Sequence, residues 1–516
     1  MRLSFLNIFF IFLCISNLFA QVLLNHTQPR NRNIIGNYEI VPDYQVSEDL
    51  GDTRQVYPSI CCAPSGNFVI TWQDNRFSQD IYAQRYLSDG TALGTNFKVN
   101  DQSTKSLYDP SISCDDSGNF VVTWYDYGGG ESDVYAQRFT NDGTPVDTNF
   151  KVNDDLGNER QLLPDIASDN NGNFIIVWAD RRNGNYDIFA QRYSSNGMLL
   201  GNNFEVNDDN SNETQWKPSV SPIKNGNFMI TWHDFRNGYY DIFAQRYTSN
   251  GTPVGSNFLV SDDYLGVNHY DPTISSDDSS NYVITWADDR SGIFEVYAQR
   301  YSSDGLSIGI NFKVTIDSVN AEQSSPSVSC DNLGNFIISW QDNRNGINNE
   351  DVYAQRFSKV GTPIGNNFSI TNTNVKDQEY PEVKLVDGLI INTWQDNRRI
   401  NTSEYDIWAN ILDWSNPTRI IKKDQSKQSY SFYLSQNYPN PFNPTTTIIY
   451  TILEKEKVKI EVLNLFGQKI ETLINNQISA GSHEIEFNAI DLPSGIYLYR
   501  IEVGGYQEVK KMILLK

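Results

Sequence analysis

Between residues 53 and 415 the chain is written in short apolar runs separated by polar turns. One unit shows the pattern. Pro164-Asp-Ile-Ala-Ser leads to a turn closing on Gly172-Asn173, followed by Phe174-Ile-Ile-Val-Trp178 and Asp187-Ile-Phe-Ala-Gln-Arg-Tyr193. A second turn, Ser195-Asn-Gly197, opens Asn203-Phe-Glu-Val-Asn-Asp208. The runs are rich in aromatic and β-branched residues and lack a helical period, which predicts four strands per unit. Runs such as Phe68-Val-Ile-Thr-Trp72 are apolar on successive residues, the mark of a strand covered on both faces.

The unit recurs. Trp72, Trp124, Trp178, Trp232, Trp286, Trp340 and Trp394 are spaced by 52 residues once and by 54 five times. Four strands per repeat define a β-propeller blade. The seventh repeat ends near 413–417 without the fourth strand of the others, and a matching run, Tyr44-Gln-Val-Ser-Glu-Asp49, stands before the first repeat. A ring closed by an N-terminal strand in the last blade leaves no open sheet edge at the joint. The expected fold is all-β: a seven-bladed β-propeller of four-stranded blades over 43–415, then a small Ig-like β-sandwich over 429–516. Residues 21–42 are read as a spacer and 416–428, rich in Lys, Gln and Ser, as a linker.

Charge and cysteine content narrow the function. With 40 Lys+Arg against 63 Asp+Glu the formal charge of the 516 residues is −23. Long-range repulsion then disfavours nucleic acid and anionic membranes and leaves neutral glycans, cations or basic partners. Residues 1–20 carry Arg2, an apolar stretch and Ala20, the pattern of a cleavable signal peptide. No later stretch is apolar for long enough to make a transmembrane segment. Cys62, Cys114 and Cys330 hold one repeat position and read as small core residues; the disulfide state of Cys62 and Cys114 stays open. A monomer is expected.

Asp follows every blade tryptophan by two positions: Asp74, Asp126, Asp180, Asp234, Asp288, Asp342 and Asp396. Arg follows by four in six blades, with Gly128 the exception. An acid catalyst needs one particular environment, so a ring of equivalent carboxylates reads as loop-stapling hydrogen bonds and ion pairs. The Gln-Arg pairs from Gln84-Arg85 to Gln355-Arg356 read the same way, with Asn410-Ile411 replacing them in the last blade.

Tyr57, Tyr108, Trp216, Tyr270 and Tyr380 precede the innermost strands and are the candidate ligand-binding residues, since flat aromatic faces cover the C–H surface of a sugar. His233 and His269 are a weak metal signal. The acidic pairs 154–155, 208–209 and 262–263 lack the spacing of a dedicated Ca²⁺ loop, so no cofactor is expected. No phosphate loop, nucleophile elbow or zinc motif is present, and no catalytic residue is assigned.

After 429 the pattern changes. Strands are expected at 446–452, 458–464, 483–488, 495–503 and 508–515. The run Asn437-Tyr-Pro-Asn-Pro-Phe-Asn-Pro444 includes Pro439, Asn440, Pro441, Phe442 and Asn443. With Val462-Leu-Asn-Leu-Phe-Gly467, Gly495 in Leu492-Pro-Ser-Gly-Ile-Tyr497, and the end from Lys511 to Lys516, it resembles the type A C-terminal sorting domain of the type IX (Por) secretion system. The resemblance implies the secretion machinery as partner, passage across the outer membrane, and release or cell-surface attachment. The repeats also resemble Trp-x-Asp and Tyr-Ala-Gln-Arg repeats of large exported bacterial proteins, which brings no activity. The expected role is a binding or adhesion module for glycan or protein. Alternatives are a hydrolase acting on polysaccharide or peptide through a symmetry-breaking loop (127–132, 347–350 or 400–404), and a structural surface component.

Overall fold

The computed structural model describes residues 33–415, apart from 36–37, 49–52, 102–104, 156, 210–211, 262–265, 316–320, 347–348, 372–375 and 399–403. It also describes 432–434, 437 and 439–516, apart from 453–454, 465–466, 480 and 504–505. The expected signal peptide (1–20) and linker (416–428), and most of the spacer, lie outside the described residues. The chain divides into two compact units at 419/420. Among the described residues the only helical piece is a single 3-10 turn, Lys224–Gly226.

The first unit is a propeller-like ring of repeated four-stranded antiparallel sheets. In the first, Gln55–Cys62, Phe68–Asp74, Asp80–Tyr86 and Ala92–Lys98 pair in chain order, and five further sheets repeat this plan. The last holds Gln378–Val386, Leu389–Asp396 and Asp406–Asp413, and takes its outer strand, Tyr38–Gln45, from the other end of the chain. Val41, Tyr44 and Gln45 pair with Ile411, Ala409 and Trp408, and Val46 N–H donates to Ile407 at 2.7 Å. The strand starts before Asp43, and Asn33–Ile35 adds a fifth strand outside it. Each inner strand packs on the inner strand of the next sheet, and Gln378–Val386 packs on Gln55–Cys62.

The seven tryptophans are buried at the sheet interfaces, at 2% exposure or less. In six sheets the indole N–H donates to the Asp two positions on, as Trp72 to Asp74 at 2.8 Å and Trp394 to Asp396 at 2.9 Å. The same carboxylate pairs with the Arg two further along, 2.7 Å for Arg76–Asp74 and Arg182–Asp180. That guanidinium lies over an aromatic ring of the third strand, 4.1 Å from the Tyr82 centroid. A fully buried carboxylate is stable only when neutralised and hydrogen-bonded on both oxygens, which this clip achieves. Where Gly128 replaces the Arg, Lys105 Nζ reaches Asp126 at 3.1 Å.

The third-strand arginines join neighbouring sheets. Arg85 donates to the Asn141 carbonyl at 2.9 Å, Arg138 to Ser195 at 3.0 Å and Arg192 to Ser249 at 2.7 Å, each in the outer turn of the next sheet. Arg246, Arg300 and Arg356 continue the series to Ser303, Lys359 and Trp414. The turn glycine beside each of the first five bonds is required twice over. Gly251 has φ +84°, and a Cβ there would stand 2.7 Å from Arg192 Nε. At the seventh seam Ile411 replaces the arginine and, with Val41, packs on Gly90. Cys61, one residue before the repeat-position Cys62, is buried, and burial first and then Cys114 across the first seam push its thiol ionisation up.

The second unit has two antiparallel sheets, Phe432–Leu434 with Thr445–Ile452 and Gly481–Asn488, and Lys469–Ile478 with Glu456–Leu463, Gly495–Val503 and Tyr506–Leu514. One core unites them: Ile448, Tyr450, Ile452 and Phe487 meet Val458, Ile460, Tyr499, Ile501 and Met512. Lys469–Ile478 was not expected from sequence. It is an edge strand whose side chains are exposed or half-buried, so its apolar positions do not mark a core face.

Candidate functional site

Each inner strand has the same irregularity. Between Val56 and Ser59 the register slips, so that Tyr57 and Pro58 together oppose Trp72. This is a β-bulge, and the other inner strands repeat it opposite their own tryptophans. The residue before each proline sits in left-handed backbone: Tyr57 (φ 54°), Asp109 (45°), Leu163 (53°), Lys217 (51°), Asp271 (55°), Ser325 (49°) and Tyr380 (51°). None is glycine, so each costs about 1 kcal/mol or more. The bulge turns these side chains into a cavity of about 680 Å³ at the centre of the ring, and they share its wall.

Deeper in, the residue after each proline lines the same space: Ser59, Ser111, Asp165, Ser219, Thr273, Ser327 and Glu382. Several of these polar side chains staple one inner strand to the next. Asp165 accepts from Ser111 Oγ at 2.7 Å and from Val220 N–H at 2.8 Å, and Ser327 Oγ accepts from Val383 N–H at 3.2 Å. Ser113, Ser275 and Ser329 each accept a backbone N–H of the following strand in the same way. An inner edge strand would otherwise leave these donors unpaired.

The mouth is electrostatically uneven. Lys217 Nζ lies 2.8 Å from Asp271 on the next sheet, and Asp271 is held below the usual carboxylate range because Lys217 outweighs its burial. Burial pushes Asp109 up to about 6, against the pull of Lys217. His233 is 4% exposed, lines the cavity, and has no hydrogen-bond partner for Nδ1. Burial holds it down at about 4, so it is neutral at physiological pH.

Of the five expected aromatic residues, Tyr57, Trp216, Tyr270 and Tyr380 line the cavity. Tyr108 does not; it stacks on Tyr125 at 5.3 Å. The five are not equivalent. Tyr57 and Tyr380 ride the bulge and meet edge to face at 4.9 Å, whereas Tyr108, Trp216 and Tyr270 stand one residue earlier. Trp216 packs against Tyr186 at 4.4 Å, and Tyr270 against His233 at 5.6 Å. Sequence reasoning missed Asp109, Lys217 and Tyr125. Counting back one residue from each proline exposes the first two, at a position that differs between repeats, as does the one before it.

The two histidines have separate duties. His269 stands where other sheets have Gln161, Gln215 or Gln323, which donate to the tryptophan-linked Asp. It lies between Asp241 (3.4 Å) and Asp288 (3.3 Å) and does not join His233 as a ligand pair. Burial opposes its protonation, but the two carboxylates overcome this and raise it to about 9. The acidic pairs are also committed: Asp154 to Arg182, Asp208 to Arg236, and Asp209 to Asn207 and Arg236. Asp262 and Asp263 lie outside the described residues. Among the symmetry-breaking loops, 127–132 is a tight hairpin tip with Gly128 opposite Glu131. Residues 347–348 and 400–403 lie outside the described residues. Glu350 is pushed up to about 7, by burial first and then by Glu379, Asp377 and Glu322.

In the second unit the Pro-rich run is bound to the final strand. Asn437 is buried, its N–H donating to Tyr499 Oη at 2.8 Å and its side chain to Thr446 at 2.9 Å. Phe442 is buried and exchanges backbone hydrogen bonds with Ile513 and Leu515. Asn440 Oδ1 accepts from Ile513 N–H at 2.9 Å. Pro439, Pro441 and Asn443 are exposed and Pro444 is half-buried. Gly467 takes φ +75° in its turn, as Gly-specific backbone requires. Gly495 opens the strand that pairs with the end of the chain, where Lys511 and Lys516 are exposed.

The described residues thus form a ring of repeated sheets and a separate small two-sheet unit. Residues 436–515 match the family model of the Secretion system C-terminal sorting domain. The terminal unit is therefore a type IX (Por) sorting domain, and the chain is exported by that route to the cell surface or beyond. Among curated proteins no relative matches the sequence. Solved structures similar to the chain include a protein of unknown function from Dyadobacter fermentans (TM-score 0.45, 10% identity, 73% of this chain and 99% of that one). Another is an α-L-arabinanase from Penicillium chrysogenum (TM-score 0.42, 11% identity, 73% and 99%). A third is a PL25 ulvan lyase (TM-score 0.47, 11% identity, 70% and 95%). Among the described residues no helix is long and apolar enough to cross a membrane.

Proposed function

We propose that the chain is a seven-bladed β-propeller carried by an Ig-like sorting sandwich, and that it binds saccharide at the mouth of its central channel. The ring of inner strands closed by Tyr38–Gln45 supports the blade count. One observation supports the binding site above all others. The backbone bulge is repeated in every sheet, yet it presents Tyr57, Asp109, Leu163, Lys217, Asp271, Ser325 and Tyr380, whereas the clips and seams present nearly the same residue each time. A scaffold that repeats its clips and seams while varying the side chains that face one cavity suits the presentation of that cavity.

Trp216, Tyr57 and Tyr380 offer apolar faces, and Asp109, Lys217 and His233 offer polar atoms for sugar hydroxyls. The test is glycan-array binding by the secreted protein, followed by calorimetry on Trp216→Ala and Lys217→Ala. Each is expected to weaken binding at least about tenfold with little change in Tm. Binding unaffected by both substitutions, or absent for every glycan, rejects the reading. A second reading, hydrolysis of polysaccharide, is favoured by Glu350, whose elevated proton affinity suits a general acid at neutral pH. Glu350 accepts a hydrogen bond from Gln341, whose Oε1 accepts Tyr380 N–H at 3.3 Å at the channel rim. Turnover that disappears in Glu350→Gln would establish it.

A further inference from the structure

Two groups at the channel mouth face the cavity without a hydrogen-bond partner among the described residues. Asp109 is half-buried in the cavity wall, and among the described residues no hydrogen bond or ion pair reaches its carboxylate. The nearest cationic influence, Lys217, is already committed to Asp271 at 2.8 Å. By contrast, every other charged group of the repeat framework discussed above is paired. His233 is the second group: it is buried, faces the same cavity, and makes ring contacts only, with Tyr240 at 4.9 Å and Tyr270 at 5.6 Å. A buried polar atom without a partner is costly, and retained orphans of this kind mark where a ligand group belongs.

The surroundings fix the sign of that ligand group. The cavity wall carries four carboxylates, Asp109, Asp165, Asp271 and Glu382, against two ammonium groups, Lys217 and Lys384. An anionic ligand is therefore repelled and a cation attracted, in a concave space where fields are focused. Tyr57, on the neighbouring inner strand, lines the same cavity wall as Asp109. A carboxylate that shares a wall with a tyrosine face is a cation seat: the charge pairs with Asp109 and the π-face covers the rest.

We propose that the channel mouth takes an amino-bearing saccharide, its ammonium seated on Asp109 beside Tyr57 and another of its hydroxyls on His233. This rests on the reading of the mouth as a saccharide site and narrows it to a substrate class.

The test is calorimetry at pH 7 with the secreted protein and three probes of equal length: a glucosamine tetramer, an N-acetylglucosamine tetramer and tetralysine. The glucosamine tetramer is expected to bind at least about tenfold more tightly than its acetylated counterpart. Asp109→Asn is expected to erase that preference to within about twofold. Asp109→Ser, the residue type of Ser325 in the sixth sheet, repeats the measurement if the first variant folds poorly. Equal binding of the two tetramers, or a preference that survives both substitutions, overturns the cation subsite but not the saccharide site. Failure of both tetramers and of the glycan array together rejects the saccharide site itself. Tetralysine binding that alone depends on Asp109 overturns the proposal in favour of a basic peptide ligand.

Discussion

Six seams of the ring are joined by an arginine and the seventh is not. From Arg85 to Arg356, each third strand sends a guanidinium into a turn carbonyl of the next sheet. Between the last sheet and the first, Ile411 and Val41 press on Gly90, and the donated strand is tied by polar bonds instead. Arg398 reaches Asp43 at 3.1 Å, Asn410 reaches Asp43 at 3.1 Å, and Gln45 reaches Asp406 at 3.0 Å. The difference follows from connectivity. A seam between consecutive sheets is held by a covalent loop as well, so one charge-assisted bond suffices. The closing sheet must recruit a strand from the distant end of the chain and offset a large loop-closure entropy. It does so with buried apolar surface and with side-chain bonds that specify register.

Removing residues 33–48 breaks the comparison most severely. Without its outer strand the last sheet presents an open edge, and the melting temperature should fall by more than about 15 °C or the transition lose cooperativity. Calorimetric melting checks this, and an unchanged Tm would mean that closure is energetically idle. Ile411→Ala is next, at about 2–4 kcal/mol by denaturant unfolding, whereas Arg192→Ala at an ordinary seam should cost about 1 kcal/mol. Equal costs would erase the distinction between the two kinds of seam.

Glycines sharpen it further. Gly251→Ala should cost about 2–3 kcal/mol, because it combines φ +84° with displacement of the bonded Arg192. Gly94→Ala, at φ +78° with open space around it, should cost only about 1 kcal/mol. The remaining effect concerns pH. His269 is raised to about 9 in the folded protein, so its contribution is complete below about pH 6.5, the unfolded value, and is lost as pH rises towards 9. That contribution is on the order of 2 kcal/mol. His269→Gln, which installs the side chain of Gln215 and Gln323, should flatten stability over this window in urea titrations at pH 6 and 9.

The tryptophan period, the strand order within each repeat and the split closing strand were all legible in the sequence, because periodic burial writes itself as periodic composition. So was the sorting motif, whose residues are fixed by backbone contacts such as that of Asn437 with Tyr499. The site was legible only in part. Tyr57 and Trp216 were recognised as rim aromatics, but they belong to different register positions, since a bulge cannot be inferred from side-chain type. Asp109 and Lys217 carry no mark in the sequence, because it is the backbone bulge that turns them inward. The edge strand Lys469–Ile478 was missed because neither of its faces is fully buried.

The left-handed kink before each proline has one more consequence. Because backbone and proline build it, side chains as different as Tyr57, Asp109, Leu163, Lys217 and Ser325 ride the same kink. The ring is in effect a seven-slot display in which adjacent slots also engage one another, as Lys217 does Asp271 and Tyr380 does Tyr57. Selectivity can then be rewritten by slots or by neighbouring pairs of slots on an unchanged frame.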